Sequence, residues 1–398
     1  MELASVLAGR GHFVHVLTTT KNPIAPPGVV VQSLETPMMG EIAVPDLRRV
    51  ATLAAHIDAV SPDVVHAHGM FSSVGIGAIL AASRLGIPSI STVHSLLRPW
   101  PVLVGASVVF RLFSNRASMV TAVSSPAVRD VEMASGRQAI RIANGVHLSY
   151  WSASGRRTGG EIADLRIVAV TRLVPKKSPV DLVHALRETM NRARERGDRS
   201  RRVTLTIAGD GPERSRLEKT AVALKVSDHL QLVGACSRDK VRELLATASF
   251  LAHPGMYEAF GLAILEARAA GVPVVAMAAG GVPDLVEHRR HGLLAQNRSD
   301  FPTAVADLAL DDDLRAKCAQ QAGRDLEPFD WSTVVSQHEG AYQRALEKRS
   351  GQHSAVSRLP TGTRGRDAAL EAEEQGRTVT AEGGGTNLMR VGVGPHEK

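Results

Sequence analysis

Short apolar runs alternate with amphipathic stretches of helical spacing along most of this chain, and the alternation occurs in two series. In the first, residues 12–18, 29–34, 64–67, 89–94, 120–123 and 140–143 read as strands, with helical stretches at 2–8, 47–60, 74–85 and 126–134. In the second, strands at 166–170, 203–208, 230–233, 250–252, 274–277 and 292–295 alternate with helices near 179–195, 212–225, 238–247, 262–270, 282–288 and 300–309. Such alternation folds as a parallel sheet covered by helices on both faces. Residues 152–164, rich in Ser, Gly and Arg, read as a linker between the two series. The expectation is an α/β chain of two doubly wound, Rossmann-like domains, 1–151 and 165–330, facing a cleft where a ligand would sit. An amphipathic helix is expected over 331–348. The segment 349–398 has no aromatic residue, few large apolar ones and a Gly-Gly-Gly run, and is expected to be disordered because it cannot offset its ordering entropy.

Composition narrows the function classes. The longest apolar runs, such as 101–110, are about half of the roughly 20 residues that a membrane span needs. The start MELASVLAGRGH lacks the basic, apolar and small-residue regions of a secretory signal, and two cysteines, Cys236 and Cys318, make neither a disulfide framework nor a zinc site. Both features fit a cytoplasmic protein. A net charge of +7 admits an anionic partner, but the densest basic cluster, 187–202, has no interleaved aromatic residues and reads as a solvated loop, which argues against nucleic acid.

The stretch His253 to Ala276, HPGMYEAFGLAILEARAAGVPVVA, concentrates the chemistry. Glu258 falls in the loop after a short strand and Glu266 more than a turn into the following helix, with Gly271 capping that helix. In a doubly wound sheet that loop lies at the carboxyl ends of the strands, and the free N–H groups of the helix start, at Gly261-Leu262, favour an anion. On spacing alone two such glutamates are most simply solvated charges. Arg172 and Lys177, in the turn RLVPKK after another strand, can reach a diphosphate from the same sheet edge. Gly209-Asp210-Gly211-Pro212 is half of a dinucleotide fingerprint and weak by itself. His66 and His68 point to one face of a strand, yet no third metal ligand is apparent, and no metal is expected.

The 258–275 stretch resembles the E-x7-E signature of the retaining, nucleotide-sugar-dependent glycosyltransferases of family GT4, enzymes of the GT-B fold. It matches in spacing, in Phe260-Gly261 between the glutamates and in the trailing E-A-x-A-A-G-V-P-V-V. Arg172 and Lys177 match the family's G-R-L-x-x-x-K-G, with Thr171 and Ser178 in place of its glycines. Gly209 and Gly211 match its G-x-G-P turn, Gly280-Gly281-Val282-Pro283-Asp284 its G-G-x-P-E, and Asn144-Gly145-Val146 its N-G-V element, with His147 where Asp is usual. Trp331 and Tyr342 fit its terminal helix, which crosses back to the first domain, so the likeness covers roughly 1–347.

The resemblance implies a hexosyltransferase that acts with retention of anomeric configuration, without cofactor or metal. By resemblance, Glu258, His94, Arg172 and Lys177 are the catalytic residues, and Glu266, Phe260, Gly261, Leu262, Gly209 and Gly211 bind the donor. Partners are then a nucleotide-sugar donor and a hydroxyl acceptor that is a small molecule, lipid or polysaccharide, with peripheral membrane contact left open and nucleic acid excluded. A catalytically impaired nucleotide-sugar-binding protein, or a nucleotide-sugar epimerase or phosphorylase of the same fold, is the alternative. The family begins with a strand and a Gly-Gly loop, whereas this chain opens inside the helix that follows them. The first domain is therefore expected to lack its first strand, with about 15–30 further residues preceding Met1 in the native protein.

Overall fold

The computed structural model describes residues 1–34, 47–69, 73–97, 110–152, 164–198, 201–356 and 390–393. The first series forms α1 (Glu2–Gly9), β1 (Phe13–Thr18), β2 (Val29–Ser33), α2 (Leu47–Val60), β3 (Val64–His68), α3 (Ser73–Arg84), β4 (Ser89–Val93), β5 (Met119–Ala122), α4 (Ser125–Ser135), β6 (Ile140–Arg141) and α5 (Leu148–Ser152). The second forms β7 (Asp164–Val170), α6 (Val180–Glu195), β8 (Arg202–Ala208), α7 (Arg214–Ala223), β9 (Leu230–Gly234), α8 (Arg238–Ala246), β10 (Phe250–His253), α9 (Leu262–Ala269), β11 (Val274–Met277), β12 (Gly292–Ala295), α10 (Asp300–Leu310) and α11 (Asp312–Ala322). The helix expected at 282–288 is a single 3₁₀ turn, Val282–Asp284, because Gly280 and Gly281 bring its start hard against the backbone of Glu258 and Ala259.

The second sheet runs β12-β11-β10-β7-β8-β9, all parallel. Counted within the domain this is the doubly wound order 3-2-1-4-5-6, whose direction reverses between β7 and β10. That reversal opens a crevice at the carboxyl ends of these two strands, into which the loops after Val170 and His253 lead. Strands β10 and β11 are buried along their whole length, as expected where helices cover both faces.

The chain returns to the first domain through α12 (Trp331–Val356), whose Val334, Val335, Ala341, Tyr342 and Ala345 share a core with Leu3, Leu7, Val14, Val64 and Ile90. The helix is longer than the 331–348 expected, and Arg390–Val393 forms a further strand, β13. Two stretches of the segment expected to be disordered are therefore regular structure, while the rest of the expected tail, 357–389 and 394–398, and most of the expected linker, lie outside the described residues. The first sheet runs β2-β1-β13-β3-β4-β5-β6. The gap expected from a missing first strand is closed by β13, which is parallel to both neighbours, β1 and β3.

Candidate active site

Glu258 follows β10 at the crevice, and Lys177 and His253 hold it. Lys177 Nζ, from the loop after β7, donates to Glu258 Oε2 at 2.5 Å, and His253 Nε2 lies 3.1 Å from the same oxygen. A carboxylate oxygen can only accept, so His253 carries its proton on Nε2. Burial alone would raise the Glu258 pKa, but the hydrogen bond and charge of His253 and the Lys177 ammonium outweigh it and bring the value down to about 2. The sequence reading assigned Lys177 and Glu258 but gave His253 no role. The signal for it was its place at the carboxyl end of a buried strand, five residues before the glutamate.

Glu266 sits on α9 in a different environment. Desolvation dominates there: Arg238 lowers its pKa and Glu2 raises it, and the net result is a carboxyl group shifted up to about 7. Arg238 itself donates to Glu2 Oε1 at 2.7 Å and lies over the rings of Tyr150 and Trp151, so α1 of the first domain reaches the neighbourhood of Glu266. The two glutamates of one motif thus occupy opposite electrostatic settings, one fixed as an anion and one poised to titrate. Neither Arg238 nor Glu2 was singled out from the sequence.

The glycines act through backbone approach. At Gly209, with φ +142°, a Cβ would fall 1.8 Å from the Thr171 carbonyl oxygen, and at Gly211 it would fall 2.5 Å from that of Leu173. Leu173 N–H donates to the Asp210 carbonyl at 2.9 Å, so the G-x-G turn is the mould against which the loop carrying Arg172 is packed. Arg172 is exposed on that loop. Gly261 takes φ +101° as the N-cap of α9, no side chain caps the helix, and Leu262 is exposed while Phe260 is buried against Phe329.

Across the cleft, Asp284 accepts from the Ser125 N–H at the start of α4 at 2.7 Å and pairs with Arg141 at 3.5 Å. His94 directly follows β4, and its Nε2 lies 2.9 Å from Nδ1 of buried His68. The His68 ring lies 4.1 Å from that of His66 between centroids. His66 in turn reaches Tyr342 Oη at 2.9 Å and Thr92 Oγ1 at 2.6 Å, which ties the strand ends of the first sheet to α12. Both His66 nitrogens are therefore engaged in hydrogen bonds. No cluster of three acidic, His or Cys side chains suited to a metal occurs among the described residues. No helix among them is long and apolar enough to cross a membrane.

Two parallel doubly wound sheets, a terminal helix returning to the first, and a charged crevice at the second define a glycosyltransferase of the GT-B fold. The group described as glycosyl transferases group 1 matches residues 161–325, and that described as glycosyltransferase family 4 matches 1–150. The chain belongs to this family 4 type of glycosyltransferase. It is 26% identical over 389 residues to a D-inositol 3-phosphate glycosyltransferase of Streptomyces scabiei, covering 87% of this chain and 85% of that one. It is 37% identical over 174 residues, 42% of this chain and 43% of the relative, to a GDP-mannose-dependent alpha-(1-6)-phosphatidylinositol monomannoside mannosyltransferase of Mycobacterium tuberculosis. Among solved structures, Anabaena Alr3699/HepE in complex with UDP superposes with a TM-score of 0.66 at 21% identity, covering 83% of this chain and 99% of that one.

Proposed function

We propose that this glycosyltransferase moves a hexosyl group from a nucleoside diphosphate sugar to an acceptor hydroxyl, with retention of anomeric configuration and without a metal. The observation that carries the reading is the Lys177–Glu258–His253 cluster at the crevice between β7 and β10. The names of the relatives, among them a GDP-mannose-dependent enzyme and a protein solved with UDP, support a nucleotide-sugar donor.

In this reaction the bond from C1 to the diphosphate oxygen breaks. A bond from C1 to the acceptor oxygen forms on the same face, and the acceptor proton passes to the departing phosphate. Lys177 and Arg172, together with the uncapped start of α9 at Gly261-Leu262, neutralise the charge that grows on the leaving group. Glu258, held ionised, accepts hydrogen bonds from sugar hydroxyls. A double displacement would need a second carboxylate about 5 Å across the bond, whereas the side chains that touch Glu258 are Lys177 and His253. Glu266 accepts from the ribose hydroxyls, Gly209 and Gly211 shape the base side together with Phe260, and His94 faces the sugar from the first domain.

The test is nucleotide release from a panel of UDP-, GDP- and ADP-hexoses, with and without polyol acceptors, followed by NMR of the product's anomeric centre. Acceptor-dependent release with the donor's configuration kept is expected. An inverted product, or saturable donor binding with no transfer to any acceptor, would defeat the proposal.

A further inference from the structure

The order of the first sheet, β2-β1-β13-β3-β4-β5-β6, follows no simple numbering when strands are counted along the chain. Counted with β13 first, it becomes 3-2-1-4-5-6-7, the same doubly wound order as the second sheet. The strand that makes both domains alike lies beyond α12, at the far end of the chain.

Register and packing agree with this count. β13 is parallel to β1, with Val391 opposite Val14 and Gly392 opposite His15, and parallel to β3, with Val391 opposite Val64 and Gly392 opposite Val65. It is thus a central strand, hydrogen-bonded on both edges. Its neighbours are core strands: Val14 and Val64 are fully buried, and Val16 and Val65 nearly so. Without β13, the backbone groups of β1 and β3 that face each other would be unpaired inside the domain. α1 packs against β1 and α12 and leads directly into β1. β13, α1 and β1 therefore stand in space as the strand, helix and parallel strand of a βαβ unit, although β13 follows α1 in the chain.

We propose that Arg390–Val393 serves as the strand at the reversal point of the first sheet, the place that β7 holds in the second. Glycosyl transfer depends on its insertion. The direction of the first sheet reverses between β13 and β3, so the carboxyl end of β13 opens at that domain's own crevice. Strand β3, the other wall of the crevice, carries His66 and His68, which support His94. Removing β13 unpairs the wall on which the first domain's half of the cleft is built. The structural part of this proposal does not use the reaction proposed above; only the dependence of turnover does.

Three chains test it beside the full one: a chain ending at Thr386, the full chain carrying Gly392→Pro, and a permuted chain with Asn387–Lys398 moved ahead of Met1. Amide exchange at His15, Leu17, Val64 and His66, whose N–H groups face β13 while those of Val14, Val16 and Val65 face the outer neighbours β2 and β4, is read together with Tm and transferase turnover. The shortened chain and Gly392→Pro, which removes a ladder donor, should exchange at least about 10²-fold faster at these amides, melt lower and lose turnover. The permuted chain should regain the protection, Tm and turnover of the full chain. If the shortened chain proves insoluble, rescue by the permuted chain still supports the proposal. Equal protection and Tm in the shortened and full chains would overturn it, as would a permuted chain that stays unprotected while the full chain is protected. Because amide exchange needs no substrate, a full chain without transferase activity leaves this test intact.

Discussion

Glu266 offers the sharpest quantitative test of the site. Its carboxyl group is pushed from 4.5 up to about 7 by desolvation, Arg238 opposing and Glu2 reinforcing the rise. A carboxyl group that binds ribose hydroxyls as an acceptor does so best when ionised, so donor affinity should rise with pH through about 7. Only about a tenth of the sites are ionised one pH unit below the pKa and about nine tenths one unit above, so the donor dissociation constant should fall roughly tenfold from pH 6 to pH 8 and then level off. Stability runs the other way. A raised acid pKa favours the folded state fully below the unfolded value near 4.5, and that contribution is lost as pH rises through about 7. At 1.36 kcal/mol per pH unit the full difference is about 3 kcal/mol, and the partial exposure of Glu266 brings the expectation nearer 1–2 kcal/mol. Glu266→Gln should therefore melt higher than the parent at pH 8, bind donor more weakly there, and bind it equally well at pH 6 and pH 8. Titration calorimetry with an intact nucleotide sugar and melting curves at both pH values measure all three. A parent whose donor affinity is flat between pH 6 and pH 8, or a variant that keeps the pH dependence, would refute the assignment.

Lys177→Ala should lower kcat roughly 10²–10³-fold in steady-state assays, because it removes one cation from the leaving diphosphate and leaves Glu258 partly uncompensated; turnover within a few-fold of the parent would contradict that. Gly209→Ala should destabilise the second domain by more than about 2 kcal/mol in urea melts, since its Cβ would strike the Thr171 carbonyl oxygen at 1.8 Å in a backbone conformation that alanine avoids. Tyr342→Phe leaves His66 Nδ1, buried in the first domain, short of a partner and should cost about 1–3 kcal/mol of stability with donor affinity unchanged, read by urea melts and donor titration.

The second domain was legible because its signals are local. Each strand ends in a turn marked by a Gly, Pro or charged residue, so Arg172, Gly209, Glu258 and Gly280 fell beside the strand ends that the structure shows. Contacts formed across the chain were not legible. Asp284 read as part of a backbone turn, yet its carboxylate bonds to Ser125, 159 positions away. Glu2 read as the start of a helix, yet it pairs with Arg238 from the other domain. His253 escaped because a lone His at a strand end is ordinarily structural, and only the folded loop brings it to Glu258.

The first domain shows where pattern reading fails for a deeper reason. Arg390–Val393 has too few large apolar residues to announce a strand, and Gly392 weakens what signal there is. A central parallel strand needs little intrinsic propensity, because its neighbours supply hydrogen bonds on both edges and helices cover both faces. Propensity is a property of the segment, but occupancy of a slot is a property of the sheet around it. The sequence led to the expectation of a missing central strand, and the structure shows a slot between β1 and β3 that β13 fills. The identity of its occupant was fixed only when the strand order could be counted.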